Sequence, residues 1–310
     1  MGKGTRFDTC ARHWYQLSVR TNNWSPAQQK KILSIVETKL LPRFADMKLG
    51  DFTTADISSF RDDLLAGRAE GQKKPLSVAS VESIMVPLRK IFDLAQINSK
   101  DAFHLENPSS KLKPLEQPKP GSKLEPLTAE EVELFLKEVD SRFYEYFILR
   151  FFAGLTAGEA DGLMWRNIVI NKNKVSGTID LTHTASRGIR QKMPASTRRT
   201  LDLSELNPRV YEAILQLMNN AKENGGYGPE SYVFTNSAGN ALDHTNTNKR
   251  IWHPTLKKAG IEKRAALQTR ATACVFWLQE GRPLQWIVAA MGYQDDRMLR
   301  KAYADYLEDR

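Results

Sequence analysis

Basic side chains form two groups in this sequence, and their chemistry suits the binding of phosphate. The groups are Lys73, Lys74, Arg89 and Lys90, and further along Arg187, Arg190, Arg198 and Arg199. Guanidinium and ammonium groups bind phosphate oxygens through charge-assisted hydrogen bonds. The chain as a whole has a net charge of +9, so a polyanionic partner is expected. The alternative for both groups is an ordinary solvated basic face.

Metal and disulfide chemistry is not indicated by the residues that could provide it. Cys10 and Cys274 lie far apart in the chain, and their spacing is not that of metal ligands. We interpret both as small hydrophobic residues. No cofactor or metal is therefore predicted. The N-terminus has no apolar signal-peptide core, and no apolar run is long enough to cross a membrane. We expect a cytoplasmic protein without a membrane contact.

The first third of the chain has the pattern of a small helical domain. Helical periodicity occurs in residues 25–41, 53–67 and 77–96. Ser25 is a helix cap followed by Pro26 at the first helical position, and Gly67 is a helix stop. The sequence therefore predicts a basic, all-helical domain over residues 1–113.

A proline-rich segment at residues 114–126 divides the sequence and is predicted to be a linker. Beyond it, residues 127–310 combine helices with short strands. The first of these helices begins with a capping box from Thr128 to Glu131. Strands are predicted at residues 167–170, 175–183 and 197–204, with one more inside the glycine-rich loop at 225–242.

Five motifs follow one another in a fixed order along this chain. They are GLTAGE at 154–159, STRRTLDL at 196–203, SYVFTN at 231–236, LQTRATA at 267–273 and MGYQDDRMLRKAY at 291–303. Their order and spacing resemble the tyrosine recombinases, specifically the phage integrases. The stretch LLPRFADMKLGDFTTADISSFRDDL in the first domain extends the resemblance to nearly the whole chain. Many integrases of this branch carry a further N-terminal arm-binding domain, whereas the core-binding pattern begins almost at residue 1 here.

The resemblance implies a fold and a reaction. The fold is α+β: a helical, SAM-like core-binding domain, then a mixed α/β domain of the catalytic type with a small antiparallel sheet. In the family, a tyrosine attacks a DNA phosphodiester and forms a 3′-phosphotyrosyl link, so that another strand is joined without metal or ATP. Because a phenol with a pKa of about 10 is a weak nucleophile, the family surrounds the phosphate with two arginines, histidines or their equivalents, and a lysine as general acid.

Two of these chemical positions are matched in this sequence. Tyr303 stands at the position of the nucleophile, and Arg270 stands at that of the arginine in the later helical motif. The lysine position is occupied by Met193. Only a shift of one residue would present Lys192 as the general acid.

The remaining positions are replaced. Thr156 stands where the first phosphate-clamping arginine is expected, Leu267 and Ala271 stand at the histidine-like positions, and Tyr293 stands at that of a later histidine or tryptophan. A threonine is neutral and too short to reach where a bidentate guanidinium would. Loss of such an arginine costs about 10³ to 10⁵ in rate. The sequence therefore predicts a degenerate active site.

The resemblance also favours phosphate or groove contact for the two basic groups. Lys73 and Lys74 precede a helix at the place where the family grips DNA. The second group surrounds the predicted hairpin near residues 187–199. We expect double-stranded DNA as the partner.

Three hypotheses follow for the function. The first is a DNA-binding protein of the recombinase fold that serves the integration or recombination of a mobile element, with strand cleavage impaired or lost. It would act in an accessory or regulatory role, with a complete tyrosine recombinase or with its own copies as a DNA-bound oligomer. The alternative is an active recombinase that uses Tyr303 with relocated groups, such as Lys192 as acid and Arg190 or His183 as clamp, or with groups from a partner. The third is a transcription repressor that never meets a recombinase.

Overall fold

The protein divides into two compact units, residues 1–121 and residues 122–310. The computed structural model describes residues 2–22, 24–97, 106–113, 115–116, 124–171 and 176–307. Each unit has a hydrophobic core of its own. Most of the predicted linker at 114–126 lies outside the described residues, so the predicted domain boundaries remain predictions.

The first unit is built from helices in its described parts. They are α1 (Phe7–Thr21), α2 (Pro26–Ile35), α3 (Leu41–Phe44), α4 (Thr54–Ala66) and α5 (Val78–Ile97). Ser25 caps α2 as the sequence predicted, and Gly67 ends α4 with a φ of 77°. The core is rich in aromatic rings: Phe44 meets Phe7 and Phe60 edge-on, with centroid distances of 5.7 and 4.9 Å.

A wide π turn interrupts the helical path in each unit, and a proline explains both. Residues Val36–Leu40 form a π turn just before Pro42, and Asn248–Trp252 form another just before Pro254. Proline has no N–H to donate to the carbonyl four residues earlier, and its ring needs room there. The helix accommodates it by widening for one turn and then continues.

The second unit surrounds its sheets with nine described helices. They are α6 (Ala129–Glu138), α7 (Tyr144–Phe152), α8 (Ala157–Asp161), α9 (Pro208–Glu223), α10 (His244–Thr247), α11 (His253–Lys258), α12 (Gln268–Gln279), α13 (Leu284–Met291) and α14 (Arg297–Ala302). The predicted capping box from Thr128 to Glu131 is present at the start of α6. Within the described ranges, no helix is long and apolar enough to span a bilayer.

Two small antiparallel sheets complete the second unit. The strands are β1 (Ile168–Asn171), β2 (Ser176–Leu181), β3 (His183–Ser186), β4 (Ile189–Lys192) and β5 (Arg199–Asp202). The first sheet has the order β1-β2-β5, and β3 pairs with β4 as a separate hairpin. Ile179 on the central strand faces Ile168 and Leu201, which places the apolar side of the sheet on the core. The predicted α+β class with a small antiparallel sheet is confirmed.

Two details of the strand predictions were wrong. The run predicted as one strand over 175–183 is divided at Thr182 into β2 and β3, and Val175 lies outside the described residues. The strand predicted inside the loop at 225–242 is not formed. That loop contributes only isolated bridges, Met164 to Tyr232 and Thr235 to Ala241. Its glycines and polar turn residues outweigh the short apolar run Val233–Phe234.

The β3-β4 hairpin lies against α8 because two glycines leave room for it. A Cβ on Gly158 would lie 2.3 Å from Thr184 Oγ1, and a Cβ on Gly162 would lie 2.8 Å from the backbone of Thr184 and Ala185. No side chain fits at either contact. The two glycines therefore set the distance between the hairpin and the short helix α8.

Replacement of Gly162 by alanine is expected to destabilise the second unit by about 1–3 kcal/mol, because the new methyl group must displace backbone of β3. Gly226→Ala is the matched control, since its Cβ would meet nothing closer than Ala221 O at 3.8 Å. Urea unfolding of both variants measures the difference. Equal free energies of unfolding for the two variants would show that the hairpin is not held by this contact.

Candidate active site

The Arg270 guanidinium lies at the centre of the candidate site, 8% exposed on the first turn of α12. It donates hydrogen bonds to the carbonyls of Gly154 and Met291. Its Nη1 lies 3.7 Å from Glu159 Oε2, and its Cζ lies 5.7 Å from the centre of the Tyr293 ring. The end of α7, the end of α13 and the start of α12 thus converge on one side chain.

The Glu159 carboxylate joins Arg270 to a second arginine. Arg199 donates to both carboxylate oxygens, at 2.7 and 3.1 Å, and its Nε donates to Ala290 O at 2.6 Å. Burial alone would raise the pKa of Glu159, but the hydrogen bonds and charges of Arg199 and Arg270 outweigh it and hold that pKa below its usual value. A buried carboxylate between two guanidinium groups is therefore ionised.

This arrangement gives Arg199 a role inside the protein. Its side chain is 7% exposed, and its guanidinium is already bound by Glu159 and by a carbonyl at the end of α13. A DNA contact was predicted for Arg199, but the placement presents no exposed guanidinium for it. We assign Arg199 to holding β5, α8 and α13 together.

Thr156 is the N-cap of α8. Its backbone N–H donates to Glu159 Oε2 at 2.8 Å, and its hydroxyl accepts from the Glu159 N–H at 3.2 Å. This reciprocal pair is a capping box, which satisfies two donors at the start of the helix. The hydroxyl that replaces the family's arginine is therefore already engaged by the backbone. The pattern T-x-x-E at 156–159 could have indicated this from the sequence.

Tyr303 lies in the core of the second unit and is 4% exposed. The Cys274 thiol lies beside its hydroxyl. Burial, together with the neighbouring Cys274 and Tyr293, raises the pKa of Tyr303 well above its usual value, and Arg270 only partly opposes this shift. Burial likewise raises the pKa of Cys274 to about 12. The phenol at the nucleophile position is thus close to Arg270 but protonated and closed off from solvent.

Apolar side chains occupy three other family positions. Met193 is buried and its N–H donates to Thr182 O at 2.9 Å, so this backbone is fixed just after β4. Ala271 is buried behind Arg270. Leu267, at the start of α12, is 68% exposed, which is unusual for leucine. None of the three side chains can donate a proton or a hydrogen bond to phosphate.

Lys192 is exposed at the last position of β4, opposite His183. Within the described ranges it makes no hydrogen bond or ion pair with Arg270 or Tyr303. The structure therefore places Thr156, Arg199 and Arg270 around Glu159 and the Tyr293 ring beside Arg270. It leaves Lys192 on the hairpin. The one-residue shift that would make Lys192 the general acid remains a prediction.

The other basic residues near the hairpin differ in solvent exposure and in the hydrogen bonds that they make. Arg187, with a φ of 52°, and Gly188 form the two-residue turn, which places the Arg187 side chain in solvent. Arg190 points inward: its Nε donates to Gly162 O at 3.0 Å and its Nη2 to Asn167 Oδ1 at 3.3 Å. Arg198 is half-buried, with Nε donating to Met193 O.

In the first unit, the predicted DNA-binding residues are largely exposed. Lys73 and Lys74 are exposed in the turn before α5, and Lys90 is exposed on that helix. Arg89 is half-buried and its Nη2 lies 2.9 Å from Glu82 Oε2. Three of the four side chains are thus free to meet a polyanion, and Arg89 would first have to leave its carboxylate.

A second buried polar cluster lies behind the site and was not predicted. Asp161, 0% exposed, accepts hydrogen bonds from the Tyr146 hydroxyl at 3.0 Å and from the His244 N–H at 2.9 Å, and the His244 ring is 3.2 Å away. Arg150 is also buried, between the rings of Tyr146 and Phe147, and its Nη2 donates to Ala266 O at 2.7 Å. The cluster supports α8 and the turn before α12 from within.

Solved structures share this arrangement of elements. The Tn1549 transposon integrase in complex with transposon right end DNA is 15% identical, with a TM-score of 0.73 over 97% of each chain. A lambda integrase dimer bound to a COC' core site is 13% identical, with a TM-score of 0.67 over 96% of this chain and 77% of that one. XerH site-specific recombinase bound to difH is 18% identical, with a TM-score of 0.58 over 93% and 77%. The fold is that of the tyrosine recombinases.

The sequence gives the family directly. Residues 125–310 match the model of the phage integrase family, and the chain belongs to that family. The predicted resemblance is therefore confirmed. No curated protein sequence matches the chain.

Replacement of Glu159 by glutamine is expected to destabilise the second unit by about 3–5 kcal/mol, because two buried guanidinium groups would lose their shared countercharge. Glu133→Gln is the control: Glu133 also pairs with an arginine, Arg209, but is 61% exposed, and its loss should cost under about 1 kcal/mol. Chemical unfolding measures both. If Glu159→Gln unfolds at the same urea concentration as Glu133→Gln, the carboxylate does not organise the site.

His244 is expected to make the stability of the second unit depend on pH. Its hydrogen bond to Asp161 raises the pKa of His244, with support from Asp243 and opposition from burial and Arg150. A raised folded-state pKa stabilises the protein below the unfolded pKa of about 6.5, and this contribution is lost as the pH rises through the folded-state value.

The test is His244→Asn, which keeps a hydrogen-bond donor and removes the charge. At pH 6 the variant should be about 1–2 kcal/mol less stable than the wild type, and near pH 8.5 the gap should shrink. Urea unfolding across this pH range measures it. A gap that is constant with pH would mean that the His244 charge does not contribute.

Proposed function

We propose that this protein binds double-stranded DNA and serves the integration or recombination of a mobile element in an accessory or regulatory role, with strand cleavage impaired or lost. The proposal joins two parts: a surface that holds DNA, and a site that no longer handles the reacting phosphate. Each part is supported by separate residues.

The capping of α8 by Thr156 is the observation that carries the loss of cleavage. The position of the first phosphate-clamping arginine holds a hydroxyl that is bonded to the Glu159 N–H. The guanidinium of Arg199 is already engaged, because its Nη1 and Nη2 both donate to the Glu159 carboxylate. Among the described residues, the family's first arginine position therefore provides no second free cation beside Arg270. The charge of a phosphoryl transition state would be only partly neutralised.

The remaining replacements point in the same direction. A general acid contributes about 10² to 10⁴ in rate, and its family position is the buried thioether of Met193. Apolar residues, Leu267 and Ala271, stand where hydrogen-bond donors to the phosphate are expected. These losses do not add arithmetically, because the groups act together, yet each one alone would slow cleavage severely.

Residues for holding DNA are present in both units. In the first unit, Lys73, Lys74 and Lys90 are exposed, and a groove of about 310 Å³ between α2 and α5 has Lys31 and Lys39 with the hydroxyls of Ser34, Thr38, Ser80 and Ser83 along its walls. The two ammonium groups are donors for phosphate oxygens, whereas the hydroxyls of Thr38 and Ser83 already donate to the carbonyls of Ser34 and Ala79. In the second unit, Arg187 and Lys192 are exposed on the hairpin.

The alternative, an active recombinase, is favoured by one observation. Tyr303 and Arg270 are both buried in the second unit, and the charge of Arg270 acts to lower the pKa of Tyr303. Cleavage would require the Tyr303 hydroxyl to leave Cys274 and reach a phosphate. The missing groups would have to come from Lys192, Arg190 or His183, or from a complete recombinase in a mixed oligomer.

The test uses nicked duplexes that trap a covalent phosphotyrosyl adduct, prepared from the DNA that flanks the gene. Wild-type protein and Tyr303→Phe are compared, and a complete recombinase that cleaves the same site is the positive control. We expect both forms to bind equally, with affinity falling steeply as salt increases, and neither to form an adduct.

Two outcomes would contradict the proposal. A wild-type adduct that is absent with Tyr303→Phe would establish an active recombinase. Absence of DNA binding at low salt would remove the DNA-binding half. A third arm mixes the protein with the complete recombinase: an adduct through Tyr303 only in the mixture would favour the partner-supplied alternative.

A further inference from the structure

A cluster of cations lies around His183 on the β3-β4 hairpin. His183 is half-buried at the start of β3, and Lys192 lies opposite it in the hairpin register. Arg190 on β4 is connected to its ring by a chain of hydrogen bonds. Arg166 before β1 and Arg198 before β5 add two further positive charges that act on the imidazole. The cluster is formed entirely within the second unit.

Hydrogen bonds fix the imidazole within this cluster. Arg190 Nη2 donates to Asn167 Oδ1 at 3.3 Å, and Asn167 Nδ2 donates to Thr182 Oγ1 at 3.4 Å. Thr182 Oγ1 and His183 Nδ1 are 2.9 Å apart and share the next hydrogen bond. Because Nδ1 is engaged by Thr182, the other ring nitrogen, Nε2, is left for a ligand.

The cluster has more positive than negative charge. Among the described residues, Glu230 is the carboxylate that pairs with one of its members, Arg166, and the two side chains are 73% and 41% exposed. Such a pair opens at little cost. Cations this close repel one another, and an anion relieves that repulsion.

Burial and the four cations lower the pKa of His183 below its usual value. The imidazole is therefore mostly neutral in the free protein at pH 7. An oxyanion beside Nε2 would cancel part of the surrounding charge and would stabilise the imidazolium. Binding of an anion and uptake of a proton are then linked.

We propose that His183, with Arg166, Arg190, Lys192 and Arg198, forms a phosphate-binding site that takes up a proton when a DNA phosphate binds. This inference rests on the proposed DNA binding, and it adds a specific contact and a regulation by pH. Arg190 then has two roles: its side chain orients His183 through Asn167, and its charge contributes to the site. Arg166 and His183 also join the DNA-facing residues.

The first measurement is the affinity for a fixed duplex at constant ionic strength between pH 8 and pH 6. Wild-type affinity should increase by about three- to tenfold towards pH 6, beyond the change seen with the variant His183→Gln, which cannot be protonated. At pH 8 the two proteins should bind almost equally. His13→Gln, an exposed histidine of the first unit, is the control and should keep the wild-type pH dependence.

The second measurement follows the His183 ring by NMR in the free protein while inorganic phosphate is added. Phosphate should raise the pH at which the ring titrates. Lys192→Gln should raise that pH without any ligand, because one of the repelling charges is gone. This variant changes an exposed side chain and keeps the fold, so the site is tested even if His183→Gln fails to fold.

The outcomes separate this inference from the proposed function. Duplex binding with the same pH dependence in wild type and His183→Gln, and no phosphate effect on the ring, would overturn the site and leave DNA binding intact. No duplex binding at any pH, with a phosphate-dependent shift of the His183 titration, would overturn the DNA function and leave an anion site. Tighter binding at low pH that disappears only with His183→Gln would support both.

Discussion

The geometry of the second unit depends on the ionised carboxylate of Glu159. It lies on the first turns of a helix of five residues, too short to be stable by itself. Three partners hold it: the N–H of Thr156 and the guanidinium groups of Arg199 and Arg270. Through them one buried side chain connects α8, β5, α12 and the end of α13. Two guanidinium groups and one carboxylate leave the cluster with a net positive charge.

The same carboxylate gives Arg199 and Arg270 a structural role that does not depend on strand cleavage. Arg270 and Arg199 are both needed to balance Glu159, whether or not a phosphate is ever cleaved. Their retention is therefore compatible with loss of chemistry, since their structural role remains. Positions without such a role have changed to apolar residues, as Met193 and Ala271 show by their burial in the core.

Much of the fold was readable from local patterns, and the internal contacts of the site were not. Caps, glycine stops and apolar periodicity act over a few residues, so Ser25 and Thr128 marked helix starts correctly. Pairing of Arg199 with Glu159 joins residues 40 positions apart, and no local pattern distinguishes that arginine from an exposed one. The hydrogen bond of Arg190 to Gly162 O likewise depends on the close approach of the hairpin to α8. Gly158 and Gly162 allow that approach. The burial of Tyr303 against Cys274 arises only when α12 and α14 pack together.

The threonine cap of α8 also bears on how this sequence can change over time. The family position held by Thr156 carries an arginine in the tyrosine recombinases that the sequence resembles. An arginine at position 156, however, would leave the Glu159 N–H without its acceptor and weaken the short helix by about 1 kcal/mol. Such a variant would lose this stability at once, whereas its rate of strand cleavage would increase only after further changes at positions 193, 267 and 271. The capping box at the start of α8 thus makes an arginine at position 156 unfavourable for the fold, whatever it would contribute to the chemistry.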